Sequence, residues 1–254
     1  MSTTPNSIVT AAVLVIGNEI LSGRTQDLNV AHIATTIGGW GIRLREVRVV
    51  ADVEGEIIDA VRALSNRYDY VFSTGGIGPT HDDITAQSIA KAFGAKLVVH
   101  PDIAVRIQAR PAPPDVMAAR MLMARVPEGA TLIDNPTAGP QGFAIGNVYV
   151  MAGIPLVMQG MLSTLEGKLR TGAVVRSLAV VAHLGESQIA AGLGAIQNRY
   201  PHVDLGSYPF AKDGRYGTTL VMRGTDEAEL SRVRDEVRAV VTAAGGVPQD
   251  PASS

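Results

Sequence analysis

The chain has 254 residues, of which 46% are hydrophobic and 4% aromatic, and its 22 basic and 24 acidic side chains give a net charge of -2. This balance excludes a whole-molecule field that would gather nucleic acid or an acidic membrane, and we expect no local cluster of basic residues. The lack of cysteine excludes disulfides, thiolate metal sites and cysteine nucleophiles, and is typical of a reducing compartment.

The N-terminal region reads as a first strand. Residues 1–10 contain no basic side chain, and the apolar run from Ile8 to Ile16 leads into Gly-Asn-Glu without a small-residue cleavage site, unlike a secretion signal. No uninterrupted apolar run reaches the roughly 18 residues that a membrane-spanning helix needs. We therefore expect a cytoplasmic protein with no membrane partner.

Strand-like and helical patterns alternate along the first part of the chain. Strands are predicted at 8–16, 42–50, 70–73 and 148–151, and helices from a cap at Asp27 to Gly38-Gly39, around 57–64 and over 83–93. This order predicts right-handed crossovers and a mainly parallel sheet covered by helices on both faces. Ligands bind such sheets beyond the carboxyl ends of the strands, where loops 17–27, 51–55, 74–83 and 152–155 should meet.

The pattern restarts after about residue 170. Three prolines in 110–114 predict a turn or connector, not a helix. The later elements are a strand at 174–182, a helix at 186–199, strands near 203–209 and 218–222, and a helix over 226–244. We predict two domains, residues 1–170 and 171–254.

The loop with the strongest chemical signal runs from Thr74 through Gly75, Gly76 and Gly78 to Thr80. Its glycines let backbone N–H groups approach an anion closely, and the following helix start adds partial positive charge, so phosphate is the predicted ligand. The alternative is a strand-to-helix turn capped by Asp82 or Asp83. His81 breaks the dinucleotide fingerprint and no P-loop motif is present, which disfavours Rossmann dehydrogenases and P-loop NTPases.

Adjacent carboxylates beside a phosphate loop predict a divalent cation. Asp82 and Asp83 would repel a phosphate unless an ion lies between them, and Mg²⁺ is commonly held by one or two carboxylates plus substrate phosphates. Mn²⁺ or Co²⁺ would serve as well. Asp52, at the end of the second strand, points to the same rim as a further ligand or a residue that orients water; the alternative is a helix cap.

Other loops at this edge carry polar or close-approach residues. Asn18 and Asp27, with Gly17 and Glu19, lie at the mouth of the first strand and are predicted to contact a ligand; the alternative is a loop and cap role. The tight loops at Asn135 and at Gly153-Ile154-Pro155 suggest close backbone approach. The histidines show no metal-ligand spacing, and no serine lies in a G-x-S-x-G elbow.

These motifs resemble a known family. Residues 16–23 with Asp27 and Asn29, and the segment from Thr74 to Thr85, are similar to the N-terminal domain of CinA (competence/damage-inducible) proteins, within the molybdopterin-binding MoaB/Mog superfamily. The resemblance covers about residues 8–170. Residues 185–187 and 205–209 look like the small KH-like domain that follows in CinA proteins.

The resemblance implies a three-layer αβα fold with a mainly parallel sheet, a small C-terminal α/β (KH-like) domain, and a homodimer. It implies Asp52 and Asp83 as catalytic acids, whereas the metal ligands Asp82 and Asp83 are predicted from the adjacent carboxylates themselves. It also implies phosphate binding at Gly75, Gly76 and Gly78. The full set of predicted ligand-binding residues, most of them predicted from the loops themselves, is Gly17, Asn18, Glu19, Asp27, Thr74, Gly75, Gly76, Gly78, Thr80, Asn135, Gly153 and Pro155.

The chain also departs from its relatives. Asp82 replaces an arginine that is common in the molybdopterin adenylyltransferase branch, which favours the CinA-type pyrophosphatase chemistry on ADP-ribose- or FAD-type substrates. Val157 replaces a glutamate of the usual Pro-Gly-Val-Pro-x-Glu-Met motif, and 137–143 departs from Gly-Thr-Ala-Pro-Gly-Phe. The chain ends near where the CinA amidohydrolase domain would begin, so nicotinamide mononucleotide deamidation is not expected.

Three functional hypotheses follow. The first is a metal-dependent nucleotide pyrophosphatase, and the second is a molybdopterin or nucleotide carrier without turnover. The third, RNA binding through the second domain, is disfavoured because the one G-x-x-G spacing there, Gly214 to Gly217, is not a basic KH loop and is better explained as a hairpin turn.

Overall fold

The computed structural model describes residues 8–137, 139–212 and 214–251. The chain separates into two compact units, the first ending at Ala173 and the second beginning at Val174. Among the helices in the described ranges, none combines the length and apolar character needed to cross a bilayer.

The first unit alternates strands and helices. Its elements are β1 (Val9–Ile16), α1 (Asn18–Leu21), α2 (Asn29–Gly39), β2 (Ile42–Val50), α3 (Glu54–Arg67), β3 (Tyr70–Thr74), α4 (Thr85–Ala92), β4 (Leu97–Val99), α5 (Pro101–Gln108), α6 (Pro114–Leu122), β5 (Arg125–Pro127), β6 (Thr131–Ile133), β7 (Gly142–Ile145), β8 (Val148–Met151) and α7 (Pro155–Ser163).

A six-stranded sheet organises this unit, in the order β2-β1-β3-β8-β7-β6. Strands β2, β1, β3 and β8 are parallel to one another, whereas β7 and β6 pair antiparallel. This confirms the predicted mainly parallel sheet. Strands β4 and β5 form a separate two-stranded ribbon.

Strand β1 is buried on both faces because helices cover both sides of the sheet. Ala12, Leu14 and Ile16 pack into one hydrophobic cluster, while the alternating Val13 and Val15 pack into another on the opposite face. Alternate residues of a strand point to opposite faces, so the two clusters are the two halves of a three-layer core. The continuous apolar sequence of β1 follows from this position.

The parallel strands end together. Ile16 at the end of β1 pairs with Val50, Val15 with Thr74, and Thr74 with Met151. The loops that follow β2, β1, β3 and β8 therefore leave the same edge of the sheet, as predicted for a ligand site of an open parallel sheet.

The second unit has its own sheet. It consists of β9 (Arg176–Ala182), α8 (Glu186–Arg199), β10 (Asp204–Lys212), β11 (Arg215–Gly224) and α9 (Glu227–Ala243), and the antiparallel strands lie in the order β10-β11-β9. A separate hydrophobic cluster joins this sheet to α8 and α9. The predicted small C-terminal α/β domain is confirmed.

The G-x-x-G spacing lies where the hairpin interpretation places it. Gly214 has a φ of 73° in the turn before β11, and Arg215, Tyr216 and Gly217 belong to β11 itself. Position 213, between the two strands, lies outside the described residues. The hairpin prediction is confirmed, and the segment is not a loop between two helices that could clamp RNA.

One carboxylate joins distant parts of the first unit. Asp69, just before β3, accepts hydrogen bonds from the amide and hydroxyl of Thr10 at 2.8 and 2.9 Å and from Arg170 at 2.5 Å. Burial raises the pKa of Asp69, but the hydrogen bonds from Thr10 and the guanidinium of Arg170 outweigh it and hold the pKa below its usual value. The ionised form therefore stabilises the fold.

We expect Asp69→Asn to lower the stability of the first unit at pH 7. A carboxyl with a depressed folded-state pKa stabilises the fold above its unfolded pKa of about 4, and that contribution is lost as pH falls through the lower folded value. The difference between the two proteins should therefore shrink at acid pH. Urea unfolding at pH 7, 5 and 3.5 measures it, with Asp59→Asn on the exposed face of α3 as control. A gap that is constant with pH contradicts the assignment.

Candidate functional site

Asp52 joins the ends of the first two strands. Its Oδ2 accepts a hydrogen bond from the amide of Asn18 at 2.8 Å, beside the 3.2 Å bond from the amide of Gly17 to the carbonyl of Val50. Helix α3 begins at Glu54 without a side-chain cap. The alternative interpretation of Asp52 as a helix cap is therefore wrong.

The Gly-rich turn after β3 requires its first two glycines. Gly75 has a φ of 99°, and a Cβ there would lie 2.1 Å from the carbonyl oxygen of Ile16. Gly76 has a φ of 66°, and a Cβ there would lie 2.2 Å from Oγ1 of Thr85. Positive φ and these close approaches together exclude a side chain at either position.

The start of α4 is tied to this turn. The Thr85 hydroxyl donates to the carbonyl of Gly75 at 3.0 Å, and the Thr85 amide donates to the carbonyl of Gly76 at 3.1 Å. Thr85 itself is fully buried. The sheet edge and the helix that follows are therefore one rigid connection.

Asp83 closes the rest of the loop. Its Oδ1 accepts from the amide of Gly78 at 2.7 Å, and its Oδ2 accepts from the amide and hydroxyl of Thr80 at 2.8 and 2.5 Å. Helix α4 begins only at Thr85 and has no side-chain cap. The predicted helix is confirmed but begins two residues later than expected, and the alternative of a cap by Asp82 or Asp83 is wrong, because Asp83 is bonded within the loop.

The amides of the loop are consequently unequal. Gly78 donates to Asp83, and Gly75 donates to the carbonyl of Met151 at 3.3 Å. The amides of Gly76 and Ile77 have no acceptor among the described residues. The predicted phosphate loop thus offers two amides at its centre, and not the whole run from Gly75 to Gly78.

Asp82 is the exposed carboxylate of the pair, with 61% of its side chain exposed. The nearby Thr80 side chain and the backbone amide of Asp82 lower the pKa of Asp82 below its ordinary value, so it is ionised at neutral pH. Within the described ranges no three His, Asp or Glu side chains converge as a ready-made metal site. Asp82 and Asp83 fit a divalent cation only if ligand oxygens complete its coordination, as is usual for Mg²⁺.

A cavity of about 60 Å³ opens where β1, β3 and β8 end, and we call it the edge cleft. It brings together six of the residues that the sequence predicts to bind a ligand: Glu19, Asp27, Thr74, Gly75, Gly153 and Pro155. Asp27 also accepts a 2.8 Å hydrogen bond from the amide of Val30, which is the capping role that its position predicts.

Two buried oxygen atoms of edge-cleft residues lack partners. Thr74 is 1% exposed and Asn29 is 4% exposed, and neither Thr74 Oγ1 nor Asn29 Oδ1 has a hydrogen bond within the described part of the chain. The orientation of Asn29 is fixed because its Nδ2 donates to the carbonyl of Gly153 at 2.8 Å. A buried polar atom left unpaired costs about 1–3 kcal/mol, so these atoms mark a place for water or a ligand donor.

A second cavity, of about 20 Å³, lies behind the Gly-rich loop, and we call it the loop cavity. Gly76, Gly78 and Asp83 line it together with Arg125 and Gln141. Sequence reasoning missed these last two residues because they lie some 40 to 60 positions away and no local pattern marks them. Gln141 Oε1 is also buried without a partner in the described structure.

The predicted ligand residue Asn135 shapes its own loop instead. It is 3% exposed; its Oδ1 accepts from the amide and hydroxyl of Thr137 at 3.0 and 2.6 Å, and its Nδ2 donates to the carbonyl of Pro140 at 2.9 Å. Asn135 lines neither the edge cleft nor the loop cavity. Its side chain is occupied because it holds this loop together.

The two predicted catalytic acids do not share a cavity. Asp52 follows β2 and Asp83 follows β3. Because β1 lies between these two strands, the strands are roughly 10 Å apart at the usual strand spacing. Asp52 lines neither cavity, whereas Asp83 lines the loop cavity. Gly17, Asn18, Thr80 and Asp82 likewise lie outside both cavities.

The known proteins that are similar to this chain have the same kind of fold. Residues 12–171 match the family model described as probable molybdopterin binding domain, and residues 174–250 match the model described as FAD synthase, middle domain. The crystal structure of the protein CinA from Thermoplasma acidophilum has a TM-score of 0.58 and 33% sequence identity, covering 63% of this chain and 98% of that one.

Two further relatives show the same family resemblance. A CinA-like protein of Desulfosudis oleivorans is 35% identical over 223 residues, which are 76% of this chain and 52% of the relative. A protein of Archaeoglobus fulgidus is 30% identical over 197 residues, which are 78% of this chain and 84% of the relative. This chain thus spans about half the length of that CinA-like relative.

The fold and its carboxyl-edge loops define a chain built on a mainly parallel αβα domain of the molybdopterin-binding type. The chain belongs to the CinA-like group of the molybdopterin-binding domain family.

We expect Thr74→Val to leave the unliganded protein as stable as wild type or more stable. The substitution keeps the side-chain shape and removes a buried hydroxyl that has no partner in the described structure. Thr85→Val is the matched control: it removes a hydroxyl bonded to Gly75 and should cost about 1–2 kcal/mol. Urea unfolding measures both. Equal destabilisation by the two substitutions contradicts the assignment of an unsatisfied atom at Thr74.

Proposed function

We propose that the chain binds a nucleotide or pterin at the carboxyl edge of the first unit and hydrolyses a pyrophosphate bond in an ADP-ribose- or FAD-type substrate with a divalent metal. The observation that carries this proposal is the set of unsatisfied groups there. Thr74 Oγ1 and Asn29 Oδ1 can accept from a ligand, and the amides of Gly76 and Ile77 can donate to a phosphate.

The family names support the two ligand classes. The model that matches residues 12–171 is named for molybdopterin binding, which supports a pterin. The model that matches residues 174–250 is named for FAD synthase, which supports a flavin nucleotide. Molybdopterin and flavin nucleotides both carry phosphate, the group that the Gly-rich loop is suited to hold.

The residues divide the work as follows. Amides of Gly76 and Ile77 hold a phosphate oxygen, and the ionised Asp82, with Asp83 beside it, faces a cation that arrives with the diphosphate. Mg²⁺, Mn²⁺ or Co²⁺ bound there supplies neutralisation of the diphosphate and acidification of a water molecule. Asp52, with Oδ2 fixed by the amide of Asn18, orients that water through its other oxygen.

A second candidate function is a carrier that binds without turnover. It is favoured because both oxygens of Asp83 are engaged inside the loop and Asp52 lies apart from it, across β1. Val157 also stands where relatives have a carboxylate. Binding of a pterin or nucleotide with no hydrolysis under any metal supports this second function.

Asp82→Asn is the substitution that tests catalysis most cleanly. Asp82 is exposed, so the variant should fold normally. Turnover of ADP-ribose or FAD with added Mg²⁺ should fall on the order of 100-fold, because the cation loses a negatively charged ligand. Asp59→Asn is the matched control and should keep full activity. Undiminished activity of Asp82→Asn would show that the assignment of this carboxylate is wrong.

Asp83→Asn requires a different interpretation. Both carboxylate oxygens of Asp83 accept N–H donors, so an amide in its place turns one –NH2 group toward a donor and loosens the loop. Activity lost through loop shape should also be lost in Thr80→Val, which removes the 2.5 Å bond to Asp83 but keeps both charges. Comparison of kcat and KM for the two variants separates loop shape from cation binding.

A further inference from the structure

The folded chain contains a cluster of basic residues that the sequence does not reveal. A cavity of about 180 Å³, which we call the arginine cleft, is lined by Arg106 of α5, Arg110 of the following turn and Arg120 of α6. The expectation of no local basic cluster is therefore wrong. The turn at 110–114 folds α6 back beside α5, which brings together residues spread over 15 positions.

The three guanidiniums are not equally neutralised. Arg106 lies 3.4 Å from Asp134 and donates to the carbonyls of Asn135 and Gly139 at 3.4 and 3.5 Å, so it holds the loop there. Neither Arg110 nor Arg120 forms a salt bridge with any described residue. The carboxylates of the same helices, on Asp102 and Asp115, are not paired with them.

Arg120 is nevertheless held in place. Its Nη1 donates to the carbonyl of Arg110 at 3.2 Å, which ties α6 to the turn and keeps both side chains at one cavity. Three guanidiniums line this cavity, and Asp134, which is not part of its lining, pairs with Arg106 alone. Like charges that line one cavity repel one another, and a bound anion reduces that repulsion.

The arginine cleft borders the loop cavity. Met123 lines both cavities, and Gly139 and Pro140 of the arginine cleft lead directly to Gln141 of the loop cavity. A ligand whose phosphate lies at the amides of Gly76 and Ile77 therefore has a second, positively charged compartment next to it.

We propose that the arginine cleft binds a phosphate monoester, and that the substrate carries this group in addition to the one held at the Gly-rich loop. The statement about the substrate rests on the proposed function, whereas the binding of a phosphate monoester in the arginine cleft does not. Guanidiniums bind phosphate oxygens in pairs with directed hydrogen bonds. The cavity has room for one dianion and its waters. ADP-ribose and FAD themselves contain no phosphate monoester, so within the ADP-ribose- and FAD-type class of the proposed function the inference favours a diphosphate that also carries one.

Calorimetry with small probes tests the cleft. Ribose 5-phosphate carries the monoester, ribose lacks it, and ADP-ribose carries only a diphosphate. In the Arg110→Gln/Arg120→Gln variant we expect the affinity for ribose 5-phosphate to fall on the order of tenfold or more, because hydrogen bonds to a charged group are lost. Its affinity for ADP-ribose should not change. Arg106 is left intact because it holds the loop at 135–139.

The controls keep charge and fold separate. Arg43→Gln on β2, at the start of the strand and away from the carboxyl edge, removes one charge, as each single substitution of Arg110 or Arg120 does, and should bind ribose 5-phosphate as wild type does. Arg110→Lys/Arg120→Lys keeps both charges and should retain part of the affinity. If the glutamine variant does not fold, the lysine variant and each single substitution still decide the result.

Several outcomes overturn the proposal. If ribose 5-phosphate binds the double variant as tightly as it binds wild type, the arginines do not form an anion site. The same conclusion follows if wild type binds ribose 5-phosphate no more tightly than ribose. Equal losses for ADP-ribose and ribose 5-phosphate assign the arginines to the diphosphate. If inorganic phosphate binds as tightly as ribose 5-phosphate, the cleft is a site for free phosphate. If single-stranded RNA binds and its binding requires both arginines, the cleft is a nucleic-acid site.

The proposed function fails separately. If wild type binds no ADP-ribose and no FAD, the pyrophosphatase and nucleotide-carrier proposals lose their ligand, while ribose 5-phosphate still reports on Arg110 and Arg120. Conversely, if ADP-ribose binds and is hydrolysed but ribose 5-phosphate does not bind, the proposed function stands and the arginine cleft is rejected as a phosphate site.

Discussion

The close approach of backbone segments at the carboxyl ends of β1, β3 and β8 determines the rest of the site. Gly75 packs directly on the carbonyl of Ile16, and Gly153 packs on the Cα of Gly75, where an added Cβ would lie 3.3 Å away. Asn29 then spans from α2 to the carbonyl of Gly153. A side chain at Gly75 would push the strand ends apart and one at Gly153 would fit tightly, so the shape of the edge cleft depends on this close approach of the backbones.

The same packing explains why so many candidate residues have structural partners. Asp52, Asp83 and Asn135 each satisfy backbone amides that no strand or helix covers. An amide left unpaired in such loops is unfavourable, so a carboxylate or amide side chain that pairs it stabilises the loop whatever its chemical role. At Asp83 this goes further, because a carboxylate already occupies one of the amides predicted for phosphate. In the proposed function, a phosphate would therefore bind toward Gly76 and Ile77.

Sequence periodicity was sufficient for the elements that build the sheet. Strand β1 has an apolar residue at nearly every position because both of its faces are covered, and α2 and α3 show helical spacing because each has one buried face. Residues 94–147 gave no comparable signal: β4, β5 and β6 have three residues each, too few for any period to show. The start of α4 was misplaced because Asp83 has the residue type of a cap but bonds within the loop.

The candidate site was predictable only where it depends on the order of strands. Parallel strands place their carboxyl ends together, so Thr74, Gly75 and Gly153 could be assigned to one edge without coordinates. Arg125 and Gln141 could not, since the β4–β5 ribbon and the antiparallel β7 bring them to the loop from far along the chain. Net charge concealed the electrostatics as well. Near-neutral composition coexists with the carboxylate of Asp83 at the loop cavity and with the guanidiniums of Arg106, Arg110 and Arg120 at the neighbouring arginine cleft. In the proposed function, such a separation of charge would orient a ligand that has both a cation-bound diphosphate and a further anionic group, because only one direction of binding pairs each group with the opposite sign.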